Sequence, residues 1–177
     1  MGLAIQAASS APRAGSARRL RLPVVFLLLL LPLVSWSQEL TGRVVRVIDG
    51  DTLVVLDASS TQHKIRLSGI DCPERRQPWS TRAKQALSDQ VFDHQVTVNW
   101  DKRDRYKRIV GKVLDRKRDV NLGLVRDGMC WWYRKYAKEQ NAGDRVLYAE
   151  AEEEARGKRR RLWSDPEPVP PWEWRRR

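Results

Sequence analysis

Cysteine and histidine are scarce in this 177-residue chain, two of each, and their scarcity removes whole classes of chemistry. His63 and His94 stand far apart, with no acidic or cysteine partners at ligand spacing, so neither suits a zinc site or a nucleophile's base. The spacing of Cys72 and Cys130 fits no zinc cluster either. No internal repeat occurs, which argues against a solenoid or propeller. The apolar run at 22–34 falls well short of the roughly 20 residues that a spanning helix needs. Acids are missing from the first 37 residues, which hold Arg13, Arg18, Arg19 and Arg21.

The length suits one domain of ordinary size, whose core can stand without metal or disulfide staples. Lys and Arg number 34 against 22 Asp and Glu, a net charge of +12; beyond residue 37 there remain 30 basic side chains against all 22 acids. Such a balance favours polyanionic partners, nucleic acid or an anionic membrane surface, and says nothing of fold. The arginine-bearing lead, the apolar run and the small Ser35 and Ser37 around Trp36 have the layout of a secretory signal over 1–37, cleaved before Gln38. Arg21 argues against a twin-arginine signal, and no cysteine lies near the cleavage point to carry a lipid. A soluble, monomeric mature chain without a membrane anchor is expected, periplasmic or extracellular, with a domain over 38–165 and a proline- and arginine-rich tail over 166–177. In an exported chain two cysteines are more often paired than free, so a Cys72–Cys130 disulfide is expected.

From Gln38 onward the periodicity names the elements. Residues 41–48 (TGRVVRVI) and 52–57 (TLVVLD) are β-rich and separated by Asp49, Gly50 and Asp51, a hairpin turn. A polar turn leads to a third strand at 63–68. The pattern turns helical at 80–92, where Ala83, Leu87 and Val91 recur four apart and Ser80 or Thr81 offers an N-cap. Alternation returns at 95–101 and 109–115. Residues 120–127 read as a short helix closed by Gly128, and 144–156 as a last helix with Leu147, Ala151 and Ala155 on its apolar stripe. Its i,i+4 pairs Glu152–Arg156 and Glu154–Lys158 read as a solvated face. The aromatic run at 129–136 (MCWWYRKY) reads as a core strand or a wall closing the barrel, and the tail beyond Trp163 as extended and without activity. Together this is an α+β chain, mainly β: a small five-stranded barrel with three helices.

The densest chemistry lies at 66–74 (RLSGIDCPE). Ile65 and Leu67 point to one face of a period-2 strand, so Arg66 points to the other, and the turn through Gly69 and Pro73 leaves Asp71 and Glu74 at the strand end. An arginine with two acids there suits phosphate chemistry at a metal. Singly, each such feature has an ordinary explanation: a hairpin turn, a solvated strand arginine, a basic loop. DGDT at 49–52, RLSGIDCPE at 66–74, DRYKR at 104–108 and LVRDGM at 124–129, in that order, are more specific, and together they resemble the staphylococcal nuclease (thermonuclease) family.

The resemblance, spanning about 41–163, implies a five-stranded OB-like barrel with three helices. It also implies a Ca²⁺-dependent phosphodiesterase that acts on DNA and RNA and leaves 3′-phosphates. Carried over by position, Asp51, Asp71 and the backbone carbonyl of Cys72 hold the cation, oxygen donors as a hard ion requires. Asp49 and Thr52 support that turn. Glu74 activates the attacking water, and Arg66 and Arg108 grip the scissile phosphate with planar forks. Arg105 and Tyr106 bind a second phosphate, and Tyr136 lies near the base, where stacking tolerates any sequence. The chain departs from the family at Lys107, where glycine is usual, at Arg134, where a base-pocket tyrosine stands, and in a shorter segment after Glu74 with Arg75, Arg76 and Trp79. Two other classes stay open: a non-catalytic OB module binding single strands, which would be expected to lose carboxylates or arginines, and a cell-envelope protein using its basic tail on anionic polymer.

Overall fold

A computed structural model describes residues 38–177, so the leader expected over 1–37 lies outside the described residues. Five strands make the frame, β1 (Gln38–Val47), β2 (Thr52–Asp57), β3 (Gln62–Leu67), β5 (Gln95–Arg103) and β6 (Ile109–Asp115), with a two-residue β4 (Ile70–Asp71) lying between β3 and β5 outside it. Neighbours run β3-β2-β1-β5-β6 by antiparallel pairing, and a parallel β3–β6 ladder, with Ile65 opposite Ile109, closes the barrel. Closure leaves these strands without open edges. Register shifts between Val44 and Arg46 and between Trp100 and Lys102 insert the bulges that bend long strands around so small a barrel. Alternate side chains fill the interior: Val44, Leu53, Val55, Ile65, Val96, Val98 and Val113 have no more than 1% of their surface exposed.

α1 (Ser80–Val91) lays Ala83, Leu87 and Val91 into the same core, as their spacing implies. Neither Ser80 nor Thr81 caps it. Its N-cap is Trp79, with φ at 72° and no side-chain hydrogen bond. After β6 come β7 (Arg118–Asp119), α2 (Val120–Arg126) and β8 (Trp131–Trp132). Asp119 caps α2 by accepting from Leu122 N at 2.9 Å, and Gly128 follows with φ at 67°, the left-handed geometry that glycine adopts without cost. Asn121, wholly buried at the start of α2, donates to the carbonyls of Ser68 (3.0 Å) and Gly111 (3.2 Å) and accepts from Val113 N (3.1 Å). It ties the end of β3 to β6.

A 3-10 segment (Arg134–Glu139), α3 (Ala142–Gly157), a second 3-10 turn (Arg161–Ser164) and α4 (Pro171–Trp174) complete the chain. The stripe of α3 differs from the expected one. Leu147 is 46% exposed, and Tyr148 takes the inward position, its hydroxyl donating to Asp119 at 3.0 Å. Glu152, expected on a solvated face, is wholly buried, because Trp132 N (3.1 Å) and Arg134 Nη1 (2.6 Å) both donate to it. The tail is not simply extended either: α4 packs Trp172 against Trp131, with ring centroids 6.5 Å apart. Among the described residues no helix is long and apolar enough to cross a membrane.

The β2–β3 turn makes an acid-side prediction. Asp57 accepts from His63, Ser59 and Thr61, and the His63 bond above all holds its carboxyl well below the ordinary 3.8. A depressed acid contributes stability that is present above the unfolded value and lost as pH falls. Asp57→Asn should therefore lower the neutral-pH denaturant midpoint and flatten the decline of stability below pH ~4. Urea titrations at pH 7 and pH 3 on both chains measure it; an unchanged acid limb would contradict it.

Candidate active site

The site begins in two tight turns that the barrel brings side by side. In the β1–β2 turn Asp49 Oδ1 accepts from Asp51 N at 3.1 Å, which fixes the Asp51 backbone, and Thr52 Oγ1 donates to Asp51 Oδ1 at 3.2 Å, which orients its carboxylate. Gly50 has no room for a side chain: a Cβ there would sit 2.8 Å from Cys72 Cβ and 2.9 Å from Ala83 Cβ. That close approach lets the second turn lie against the first. Cys72 N donates to Asp51 Oδ2 at 2.9 Å, and Asp51 O accepts from Leu67 N at 2.9 Å.

Thr52 lies opposite Arg66 in the β2–β3 register, which sets Arg66 beside Asp51. Its guanidinium spans the two carboxylates, Nη1 to Asp51 Oδ2 at 3.0 Å and Nη2 to Asp71 Oδ1 at 2.9 Å, and Nη1 also donates to Leu67 O at 3.0 Å. Only 2% of the Asp71 side chain and 16% of Arg66 is exposed, so this is a desolvated ion-pair cluster and not a surface one. Burial pushes the Asp51 carboxyl up to about 7, against the lowering pull of Arg66. Among the described residues no group of three or more His, Cys, Asp or Glu side chains gathers as a metal cage. The donors present for a hard divalent cation are therefore the Asp51 and Asp71 carboxylates with main-chain oxygens such as that of Cys72, the remaining positions falling to water, and that oxygen set fits such an ion.

Two devices hold the Asp71 turn in place. β4 pairs with β8, Asp71 opposite Trp131, and Tyr133 N donates to Gly69 O at 2.9 Å. A ladder of two residues is marginal alone. A disulfide between Cys72 and Cys130 fastens its end, and Glu152 holds β8 from behind through Trp132 N. Glu74 sits beyond, its backbone N bonded to Gln77 Oε1 at 2.9 Å and its carboxylate 37% exposed.

The DRYKR residues form a separate group. Asp104 accepts from the backbone N of Tyr106 (2.9 Å) and of Arg108 (3.0 Å), and holds Arg108 through Nε at 2.7 Å. Arg108 lies over the Tyr106 ring at 5.4 Å, and Arg105 Nη2 donates to the Tyr106 hydroxyl at 2.6 Å. Tyr136, 41% exposed, carries Lys102 over its ring at 5.5 Å, and Lys102 also pairs with Glu139 at 2.5 Å. Lys102 thus joins the aromatic segment to the strand that leads into the DRYKR loop. The structure brings Asp49, Asp51, Thr52, Arg66, Asp71 and Cys72 into direct contact; Arg105, Tyr106 and Arg108 stand as a second cluster and Tyr136 as a third.

Comparison with known proteins decides the lineage. The family model described as "Staphylococcal nuclease homologue" matches residues 64–165. The chain belongs to the staphylococcal nuclease family. Protein ParB of Escherichia coli is 44% identical over 151 residues, 80% of this chain and 82% of that protein. An uncharacterized endonuclease of Haemophilus influenzae is 38% identical over 136 residues (77% and 73%), and a micrococcal nuclease of Shigella flexneri 38% identical over 166 residues (89% and 92%).

Membership gives the departures physical content. Lys107 has φ at 61°, so the position where the family resemblance implies glycine is left-handed here too, and the lysine bears the strain. Arg134 is spent on structure: it pairs with Glu152 and stacks over Trp132 at 4.6 Å. The residue that sequence reasoning missed is Arg175. From a tail read as inactive it reaches the site, Nη2 to Asp71 Oδ2 at 2.7 Å and Nη1 to Glu74 Oε1, and the Asp71 bond above all raises its already high pKa. Three arginines behind two tryptophans were the available signal.

Two measurements follow from this geometry. Breaking the disulfide by a Cys72→Ser and Cys130→Ser double substitution should cost about 4 kcal/mol by loop-closure entropy at the separation of 58 residues, read as a lower urea midpoint. Lys107→Gly should raise stability by up to about 1 kcal/mol, since it relieves a left-handed lysine; a fall in midpoint would place the lysine's own contacts above the strain.

Proposed function

We propose that this chain is a Ca²⁺-dependent nuclease that hydrolyses DNA and RNA with little sequence preference, cutting the P–O5′ bond to leave 3′-phosphates. The observation that carries the reading is the meeting of Arg66, Asp51 and Asp71 in one desolvated cluster beside Glu74, in a chain whose family and relatives carry nuclease names. A bound divalent cation supplies positive charge against the phosphate oxygens and the charge that grows on them. Asp51 and Asp71 would hold it with the Cys72 carbonyl, while Asp49 fixes the Asp51 backbone and Thr52 its carboxylate.

The chain's own groups then divide the remaining work. Arg66 stands on a strand that cannot shift without opening the barrel, and would offer the scissile phosphate the N–H groups that Asp51, Asp71 and the Leu67 carbonyl leave free. Asp104 holds Arg108 through Nε, which leaves its Nη pair to face a second edge of that phosphate. Glu74, partly exposed, orients a water and accepts its proton. Arg105 and Tyr106 receive the neighbouring phosphate, and Tyr136 offers a ring on which any base can stack, which supports low sequence preference. We also propose that residues 1–37 direct export and that the mature chain works as a monomer in the periplasm or outside the cell. Support comes from the leader's layout and from the disulfide, a bond that persists in oxidising compartments.

Purified mature protein incubated with single-stranded DNA should cleave it with Ca²⁺ and stop with a chelator. Glu74→Gln and Arg66→Ala should each lower turnover by about 10² to 10³. Glu74→Gln should leave thermal unfolding nearly unchanged, since its side chain is partly exposed. Binding without cleavage across divalent ions would make the domain a single-strand binding module instead.

A further inference from the structure

The C-terminal segment meets the site at three points that have no connection in sequence. Gln77 is the first: its side chain accepts from Glu74 N at 2.9 Å and donates to Val169 O at 2.6 Å, so one buried amide ties the Glu74 loop to the tail. Trp172 is the second. It stacks on Tyr133 with centroids 5.3 Å apart and planes 7° from parallel, and meets Trp131 edge-on. Arg175 is the third, one helical turn on, with its guanidinium on both oxygens of Asp71 and on Glu74. Asp71 therefore carries two guanidiniums, Arg66 on one side and Arg175 on the other.

We propose that residues 168–177 are an intramolecular occupant of the cation site, in which Arg175 competes with the divalent ion for Asp71 while it also holds Glu74. The proposal rests on the reading of Asp51 and Asp71 as the cation's carboxylates. A guanidinium brings one positive charge where the ion brings two, and Arg175 is 41% exposed, so water screens its pairs. It is a weaker ligand that can be displaced. Trp172 makes it an effective one nonetheless, because an aromatic anchor holds Arg175 at a high local concentration beside the carboxylates. The same anchor covers one face of Tyr133, so a displaced tail would also bare a stacking surface next to Tyr136, whose ring lies 5.0 Å from that of Tyr133. The tail sets the cation concentration at which the site opens.

Ca²⁺ titration by calorimetry tests this on the mature full-length chain and on Arg175→Gln, Arg175→Lys and Trp172→Ala. Arg175→Gln should bind Ca²⁺ at least tenfold more tightly than the parent. Trp172→Ala should shift in the same direction without touching a carboxylate, and Arg175→Lys should fall between parent and Gln variant. Affinity for Arg175→Gln within twofold of the parent, or weaker, overturns the proposal. Weaker substrate binding by Arg175→Gln with unaltered Ca²⁺ affinity overturns it too, and makes Arg175 a phosphate contact. Equal Ca²⁺ binding in all four chains removes the occupant and leaves the cation reading standing; absence of Ca²⁺ binding in all four removes both.

Discussion

Two carboxylates brought together out of water repel one another and each loses its hydration, so Asp51 and Asp71 can share a buried corner only if a positive charge lies between them. Arg66 is that charge. Its placement is fixed by strand register: opposite Thr52 on one side and Val110 on the other, it cannot slide without turning Ile65 and Leu67 out of the core. The barrel thus holds the charged cluster by burying hydrophobic side chains on the opposite face of the same strand. Burial pushes the Asp51 carboxyl up to about 7 against the pull of Arg66, and a second guanidinium, Arg175, lies on Asp71 from the other side.

Everything around the corner limits its freedom. Asn121 fixes the Ser68 carbonyl where β3 ends, the disulfide and the β4–β8 ladder fix the Asp71 turn, and Glu152 fixes β8. These groups touch no substrate in the proposed reaction. Their effect is to limit the movement of the turn that carries Asp71 beside Asp51 and Arg66, the kind of support that a preorganised site requires.

The alternation of β3, β5 and β6 was readable because one side of each strand faces a core, and the period of α1 for the same reason. The site's inner contacts were readable because their residues stand in short, ordered motifs. What escaped lies in features without period. Glu152 looks like half of a surface i,i+4 pair until the fold places Trp132 N and Arg134 against it. Tyr148 rather than Leu147 faces inward because Asp119 is there to take its hydroxyl. β4 and β8 are two residues each, too short to show alternation. Trp172 and Arg175 are separated from the site loop by about a hundred residues of chain, and only tertiary packing on Trp131 and Tyr133 brings them back.

Net positive charge alone would serve any polyanion, and most of the basic side chains are of that unspecific kind. The arginines that matter differ by what restrains them. Arg108 is held through Nε by Asp104, whereas Arg66 is held at both terminal nitrogens within a desolvated cluster. Arg175 combines a partly exposed guanidinium with an aromatic anchor a few residues earlier. A group so placed can leave the carboxylates without unfolding any strand, since the barrel's ladders do not include it. The same guanidinium chemistry therefore serves one fixed position, built into the sheet, and one exchangeable position, built onto its surface.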